Sequence, residues 1–148
     1  MISFKNILVA LDFGEPSNQA LRMAIDLAKR YGASLTLMHT YEIPAYAYPG
    51  IEFAPRELFA VVADAAAKQL DEALAEVRKE LPAAHAILKR GSPWREILAT
   101  IEETKADLVV MGTHGRRGLG RAILGSVAEK VVRVSPAPVL TVGVRSES

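Results

Sequence analysis

The sequence predicts an α/β protein built as one doubly wound parallel sheet with helices on both faces. Its 148 residues suffice for a single compact domain over residues 1–148. Short apolar runs alternate along the chain with longer stretches in which apolar residues recur at steps of three and four, as in parallel strands joined by helical crossovers. Most of the short runs lack strict apolar–polar alternation, which is typical of strands buried on both faces.

The first half of the chain is predicted to contain two strands and two helices. The strands are apolar runs of strand length, and each helix carries an apolar stripe. Gly32 ends the first helix and Pro82 stops the second. Residues 42–54 form a predicted loop whose aromatic residues suit a ligand lid and a protein contact equally. In chain order the elements are Asn6–Leu11, Pro16–Tyr31, Ser34–Tyr41 and a helix from about Pro55 to Leu81.

The second half is predicted to contain three strands and two helices. Ser92 and Pro93 indicate a helix start, because serine often caps a helix and proline is favoured at its first position. The fifth strand lies near the end of the sequence. In chain order the elements are the strand His85–Lys89, the helix beginning at Ser92, the strand Asp107–Met111, the helix Val127–Val134 and the strand Pro138–Val144.

Composition narrows the classes of function. A net charge of +1 argues against nucleic-acid binding, which needs a basic face. No apolar run approaches the roughly 18–20 residues of a membrane span, and the first residues lack the pattern of a secretory signal. The sequence has no cysteine, and His39, His85 and His114 form no metal-ligand pattern. We expect a cytoplasmic protein without membrane contact.

The glycine-rich segment Gly112–Ser126 is predicted to bind phosphate. Glycines allow a backbone to approach a ligand closely and to adopt positive φ. The first amides of the helix that follows have no internal partners and attract anions. No acidic residue occurs from Leu108 to Ala128, whereas the segment contains three arginines. This charge asymmetry favours a polyphosphate ligand.

Two common phosphate-binding motifs do not fit this segment. A P-loop requires GxxxxGK(S/T), and the chain contains no Gly-Lys pair. The dinucleotide fingerprint GxGxxG fails because Ile123 stands where the third glycine after Gly118 and Gly120 should be, and because it should follow the first strand. The sequence therefore excludes a P-loop NTPase and a nicotinamide-dependent dehydrogenase.

The spacing that does fit is G-x2-G-x9-G-S/T, met by Gly112, Gly115, Gly125 and Ser126. This pattern resembles the ATP-binding branch of the universal stress protein A family, and the resemblance extends over essentially the whole chain. The matching blocks are Asn6–Asp12, Leu37–His39, Val109–Gly115, Leu124–Val131 and Ala137–Val142.

The resemblance implies a Rossmann-like sheet of five parallel strands, of the adenine nucleotide alpha hydrolase type, in the order 3-2-1-4-5. Strands one and four are then neighbours whose connections run in opposite directions, and ligands bind α/β sheets at such a switch point. The last strand, Pro138–Val144, is then an edge strand that needs covering. The resemblance implies a homodimer formed through it.

The nucleoside half of the implied site lies at the ends of strands one, two and four. Ala10, Leu11 and Asp12 would flank the nucleoside, with the Asp12 carboxylate near the ribose or a phosphate-bound Mg²⁺. As an alternative, Asp12 is a turn or cap residue, as are many acids that follow a strand. The remaining residues implied for this half are Thr40 at the adenine edge and Met111 and Gly112 beneath the nucleoside.

The phosphate half of the implied site lies in the glycine segment and the start of the last helix. Ser126 also fits a capping box with Glu129, in which the Ser126 hydroxyl accepts from the Glu129 amide. Both roles are compatible if the hydroxyl turns to phosphate when a ligand binds. The residues implied for this half are His114, Gly115, Arg116, Gly125, Ser126 and Val127.

Three functions remain open at this stage. The resemblance favours a regulatory module that binds ATP, with AMP or ADP as related ligands. A weak ATPase or an autophosphorylating enzyme is an alternative, although such catalysis needs an oriented nucleophile and base, and Asp12 is the one acid expected at the site. A dimeric interaction protein that binds AMP, a cyclic nucleotide or no ligand is the third.

Overall fold

A computed structural model describes residues 1–43, 56–114 and 124–144 of the chain. All the predicted strands and helices occur, and β1 and β2 have the predicted bounds. In chain order the elements are β1 (Asn6–Leu11), α1 (Glu15–Tyr31), β2 (Ser34–Tyr41), α2 (Arg56–Arg78), β3 (His85–Arg90), α3 (Pro93–Thr104), β4 (Leu108–Gly112), α4 (Ser126–Val134) and β5 (Val139–Val142).

The five strands form one parallel sheet in the order β3-β2-β1-β4-β5, which confirms the expected topology. β1 is central and pairs with β2 on one side and β4 on the other. The carboxyl ends of β1 and β4 lie side by side, and the connections that leave these two strands run in opposite directions. This is the switch point at which open α/β sheets leave room for a ligand.

Strand alternation divides the core into two apolar layers. Ile7, Val9 and Leu11 of β1 pack with α1 and α2 on one face. Leu8 faces the opposite layer, where α3 and α4 pack. Both faces of the central strands are thus removed from water, and Leu8 and Val9 are fully buried.

Several boundaries differ from the sequence prediction. β5 covers Val139–Val142, which is shorter than the predicted Pro138–Val144, although the Pro138 carbonyl still accepts from the Val109 amide at 2.9 Å. The predicted helix to Leu81 ends at Arg78, where tight turns follow and the Arg78 guanidinium donates to the Ala84 carbonyl. Ser92 occupies the N-cap of α3 and Pro93 its first turn, as predicted, but the Ser92 side chain makes no capping hydrogen bond. Within the described residues, no helix is long and apolar enough to cross a membrane.

Candidate functional site

A cavity of about 280 Å³ opens at the carboxyl end of the sheet, beside the neighbouring ends of β1 and β4. This volume is close to the lower end of the range for small-molecule pockets, roughly 300–1,000 Å³. The cavity is lined by Ala10, Leu11, Asp12, Ser17, Met38, Thr40, Pro93, Ile97, Met111, Gly112, Thr113, His114, Gly125, Ser126, Val127 and Ala128.

Ten of the twelve residues that the sequence predicted for the site line this cavity. They come from the ends of β1, β2 and β4 and from the start of α4, so elements distant in sequence converge here. The other two, Gly115 and Arg116, lie outside the described residues, as do Tyr46, Tyr48 and Phe53 of the predicted loop. The roles of all these residues toward a ligand stay predictions.

Sequence reasoning missed the wall that α3 contributes. Pro93 and Ile97 line the cavity, and their spacing places them on one side of α3. Met38 lines it as well, and it belongs to the same apolar layer as Ile97 and Met111. From the sequence, Met38 could have been found only by the alternation of side chains along β2, which sends Leu37 to one face of the sheet and Met38 to the other. The result is an apolar slot on the α3–α4 side of the sheet.

The β1–α1 turn forms one wall of the cavity and is held by its own polar groups. The Asp12 carboxylate accepts a hydrogen bond from the Gly14 amide at 2.8 Å. The Asp12 amide donates to the Ser17 hydroxyl at 3.0 Å, and Ser17 is buried. The turn role considered for Asp12 is therefore correct, and the same residue also lines the cavity.

The described glycines of the motif serve close packing rather than positive φ. Gly125 has φ of −61°, an ordinary value. A Cβ at Gly125 would lie 2.9 Å from the Thr113 carbonyl oxygen, and one at Gly112 would lie 2.8 Å from the Pro16 Cβ. The lack of side chains thus lets α1 and the Thr113–His114 backbone pack against the strand ends, which the sequence argument had assigned to ligand approach.

The predicted capping box at Ser126 is wrong. Gly125 is the N-cap of α4 and Ser126 is its first helical residue. The Glu129 amide donates to the Gly125 carbonyl at 2.9 Å, so it is already part of the helix ladder. The Glu129 carboxylate pairs with Arg133 one turn on. No side chain caps α4 among the described residues, and the first amides of a helix have no acceptor within the helix itself.

The starts of three helices adjoin the cavity, and α4 is the one best suited to an anion. The first turns of α1 and α3 each include a proline, which removes an amide donor. The Glu96 carboxylate also lies within reach of the α3 start, where a Cβ on Gly91 would meet its Oε1 at 2.7 Å. The first turn of α4, Ser126–Glu129, has no proline, and its one acidic side chain, Glu129, is paired with Arg133. Its amides and the helix dipole both favour negative charge.

Thr113 connects the cavity to both ends of the glycine segment and to β5. Its amide donates to the Val142 carbonyl at 3.0 Å, and its carbonyl accepts from the Gly125 amide at 2.7 Å. Its hydroxyl lies 3.0 Å from His114 Nδ1. The cavity rim is therefore fixed to the edge of the sheet by main-chain hydrogen bonds.

Two ionisable side chains, Asp12 and His114, line the described part of the cavity. No cluster of three or more His, Cys, Asp or Glu side chains within residues 1–43, 56–114 and 124–144 could hold a metal ion. Lys130 lies outside the lining, with its Nζ 4.8 Å from the centre of the Trp94 ring. Any divalent cation at this site would depend on ligand oxygens as well as on Asp12.

Comparison with known proteins gives matches over nearly the whole chain. The sequence model of the Universal stress protein family matches residues 3–143. A universal stress protein from Thermus aquaticus is 38% identical over 145 residues, covering 94% of this chain and 98% of that protein. The solved structure of the universal stress protein UspA from Lactobacillus plantarum has a TM-score of 0.83 at 25% identity, covering 96% of this chain and 99% of that one.

Two further solved structures share the fold at lower identity. One is a universal stress protein in complex with cAMP, with a TM-score of 0.68 at 21% identity over 95% of this chain and 98% of that one. The other is a universal stress protein family protein from Arabidopsis thaliana with AMP bound, with a TM-score of 0.67 at 17% identity over 96% and 93%. At these identities the likeness concerns the fold, and the ligands are those of the two proteins.

Proposed function

The chain belongs to the universal stress protein family, and we propose that it binds an adenine nucleotide, ATP in the first place, in the cavity between β1 and β4. The observation that carries the proposal is the start of α4, which no described side chain caps, at the rim of an apolar slot. A nucleotide has the matching parts, which are a flat base and an anionic tail.

The apolar slot suits the base and sugar. Ala10, Met38, Met111 and Ile97 give it an apolar lining, and Thr40 adds a hydroxyl at its edge. Asp12 at the end of β1 supplies carboxylate oxygens that can accept from ribose hydroxyls. A small number of polar groups around an apolar slot allows a site to bind a small molecule in one orientation.

The first turn of α4 suits the phosphates. The Ser126, Val127 and Ala128 amides belong to the part of a helix that lacks internal acceptors. Ser126 is exposed at the cavity mouth and adds a hydroxyl. AMP and cAMP, the ligands of two structural neighbours, have one phosphate, which this turn can accommodate alone. The G-x2-G-x9-G-S spacing favours ATP, whose additional phosphates would engage the glycine segment together with Mg²⁺.

The output we propose is regulatory rather than catalytic. A ligand that binds one state of the cavity rim better than another shifts the population between them. Thr113 connects that rim to β5 through main-chain hydrogen bonds, so the edge of the sheet is one surface that can respond. Asp12 is the one carboxylate among the described lining residues, whereas efficient hydrolysis needs an oriented nucleophile and base beside the phosphates.

Calorimetric titration with ATP, AMP and cAMP tests the proposal, with GMP as the ligand control. The protein should bind at least one adenine nucleotide with micromolar affinity, which corresponds to about −8 kcal/mol. Ala10→Leu should fill the slot and weaken binding at least tenfold. Ala99→Leu, on the exposed side of α3, is the matched control and should bind normally. Equal affinity of both variants would mean that the ligand binds elsewhere, and no binding by the wild type would refute the proposed function.

A further inference from the structure

The β1–α1 turn is supported from behind by a side chain of β2. His39 lies opposite Leu11 in the β1–β2 register, and its Nδ1 is 2.8 Å from the Leu11 carbonyl oxygen. Because a carbonyl oxygen can only accept, Nδ1 carries the proton of this hydrogen bond. His39 is partly buried and does not line the cavity, whereas Leu11 does.

The same imidazole packs against a residue in an unfavourable backbone conformation. Phe13 has φ of 64°, in the left-handed region that large side chains rarely adopt. Its ring meets the His39 ring edge to face, with centroids 4.6 Å apart and planes at 62°. Surroundings that over-determine the backbone are what keep such a residue in place. His39 is part of those surroundings.

Asp12 lies between the two residues that His39 contacts. Its carboxylate holds the Gly14 amide and its own amide donates to the Ser17 hydroxyl. The direction in which Asp12 and the Leu11 backbone face the cavity is therefore set by a turn that His39 holds at one end.

We propose that His39 is a positioning residue for the nucleotide site. Its Nδ1–H group, donated to the Leu11 carbonyl, holds the Leu11–Asp12 wall in the geometry that accepts the nucleoside, and it does so without touching the ligand. The affinity for nucleotide is higher because the wall is already ordered before the ligand binds. This inference rests on the proposed function for its effect on affinity.

The test compares three variants at His39 and β3. His39→Leu keeps a side chain of similar reach but has no donor. His39→Asn places an amide nitrogen close to the position of Nδ1 and keeps the donor. His85→Leu, at the exposed start of β3, is the matched control for loss of a histidine. AMP affinity is measured by calorimetry well below each variant's melting temperature, and amide hydrogen exchange of Gly14 and Asp12 is measured without ligand.

We expect His39→Leu to bind AMP about tenfold more weakly and to exchange the Gly14 and Asp12 amides faster. His39→Asn should recover affinity to within about threefold of wild type, and His85→Leu should match wild type. If His39→Leu does not fold, His39→Met takes its place, because a thioether sulfur has no hydrogen to donate. Rescue by asparagine separates a positioning hydrogen bond from a general packing role.

The outcomes distinguish this inference from the proposed function. Wild-type affinity in His39→Leu, or equal loss in His39→Leu and His39→Asn, overturns the role of His39 and leaves nucleotide binding intact. If the wild type binds no nucleotide, the proposed function fails, and hydrogen exchange alone decides about His39. Faster exchange of the Gly14 and Asp12 amides in His39→Leu then supports the role of His39 in holding the turn, and unchanged exchange contradicts that role.

Discussion

At the scale of single residues, Gly112 shows how a missing side chain sets the shape of the cavity. It ends β4 directly against the first turn of α1, and a Cβ there would meet the Pro16 carbonyl carbon and the Ser17 amide nitrogen at 2.9 Å. Those atoms belong to the backbone and cannot rotate away. The glycine therefore fixes how close α1 comes to the strand ends.

Gly112→Ala should lower the free energy of unfolding by roughly 1–3 kcal/mol, the usual cost of overpacking. Urea denaturation measures it. Gly143→Ala is the matched control, because its Cβ would meet the side-chain oxygen of Thr113 at 3.3 Å and that side chain can adjust. The control should lose less stability, and equal losses would contradict the packing argument.

Ser126 tests the corrected start of α4. Replacing a true N-cap serine by alanine costs about 1 kcal/mol. Because Gly125 holds the N-cap position, Ser126→Ala should change the free energy of unfolding by less than about 0.5 kcal/mol, as other exposed substitutions do. Thermal and urea unfolding measure the difference. A loss of about 1 kcal/mol in the free energy of unfolding would show instead that the Ser126 side chain caps the helix.

At the scale of elements, the first turn of α4 carries the proposed phosphate site through its main chain. Ser126→Pro removes one amide, and the extended ψ of 156° at Gly125 is compatible with a following proline. Proline is favoured at the first helical position, so the fold should persist. Nucleotide affinity should fall about tenfold relative to Ser126→Ala, which lacks the hydroxyl but keeps the amide.

Calorimetry with AMP measures this pair. Similar affinities in Ser126→Pro and Ser126→Ala would show that the amide contributes little. In that case the phosphate contacts would have to come from another part of the site.

An ion pair joins Lys29, in the last turn of α1, to Glu80, in the turn that follows α2. Their Nζ and Oε1 atoms are 2.6 Å apart. The hydrogen bond from Lys29 and its positive charge lower the pKa of Glu80 below the ordinary value. A lowered folded-state pKa stabilises the fold above the unfolded value, and this stabilisation is lost as the pH falls through the folded value.

Lys29→Met should return the Glu80 pKa toward the ordinary carboxyl range. Carbon-detected NMR titration of the Glu80 carboxyl measures the shift, and Lys79→Met, which removes the partner of Glu76, is the control. High salt should narrow the difference, because the pair is exposed to solvent. An unchanged Glu80 pKa in Lys29→Met would contradict the assignment.

The elements themselves were largely readable from the sequence. β1 has a continuous apolar run from Ile7 to Leu11, and β2 is bounded in the sequence by Gly32 before it and Pro44 after it, so both strands could be placed directly. The limits of α2 and β5 could not, because they depend on where the chain turns against its neighbours. The capping box at Ser126 failed for the same reason: one residue of shift along the chain moves the N-cap to Gly125.

At the scale of the whole molecule, β5 lies at an edge of the sheet, and we expect a second copy to cover it. Pro138 and Val142 direct their carbonyls to β4, accepting from the Val109 and Thr113 amides. Thr141, which has the opposite parity, therefore directs its amide outward. Val132 and Val134 of α4 are exposed large apolar side chains.

Thr141→Pro should convert the expected homodimer to a monomer of 16.0 kDa, because it removes an outward donor while sparing the bonds to β4. Thr141→Val keeps the amide and should remain dimeric. Sedimentation velocity at micromolar concentration measures both. A wild-type monomer under the same conditions would refute the dimer.

The sequence by itself determined the fold class, because apolar periodicity is a local property of the chain, and the family resemblance implied the strand order and ten residues that line the cavity. Tertiary structure alone decided that Pro93 and Ile97 complete the cavity, since they meet it only after α3 packs on the sheet. It also decided that Gly112 accommodates α1 and that His39 contacts the Leu11 carbonyl beside Asp12. Such contacts depend on packing between distant segments, which no local pattern encodes.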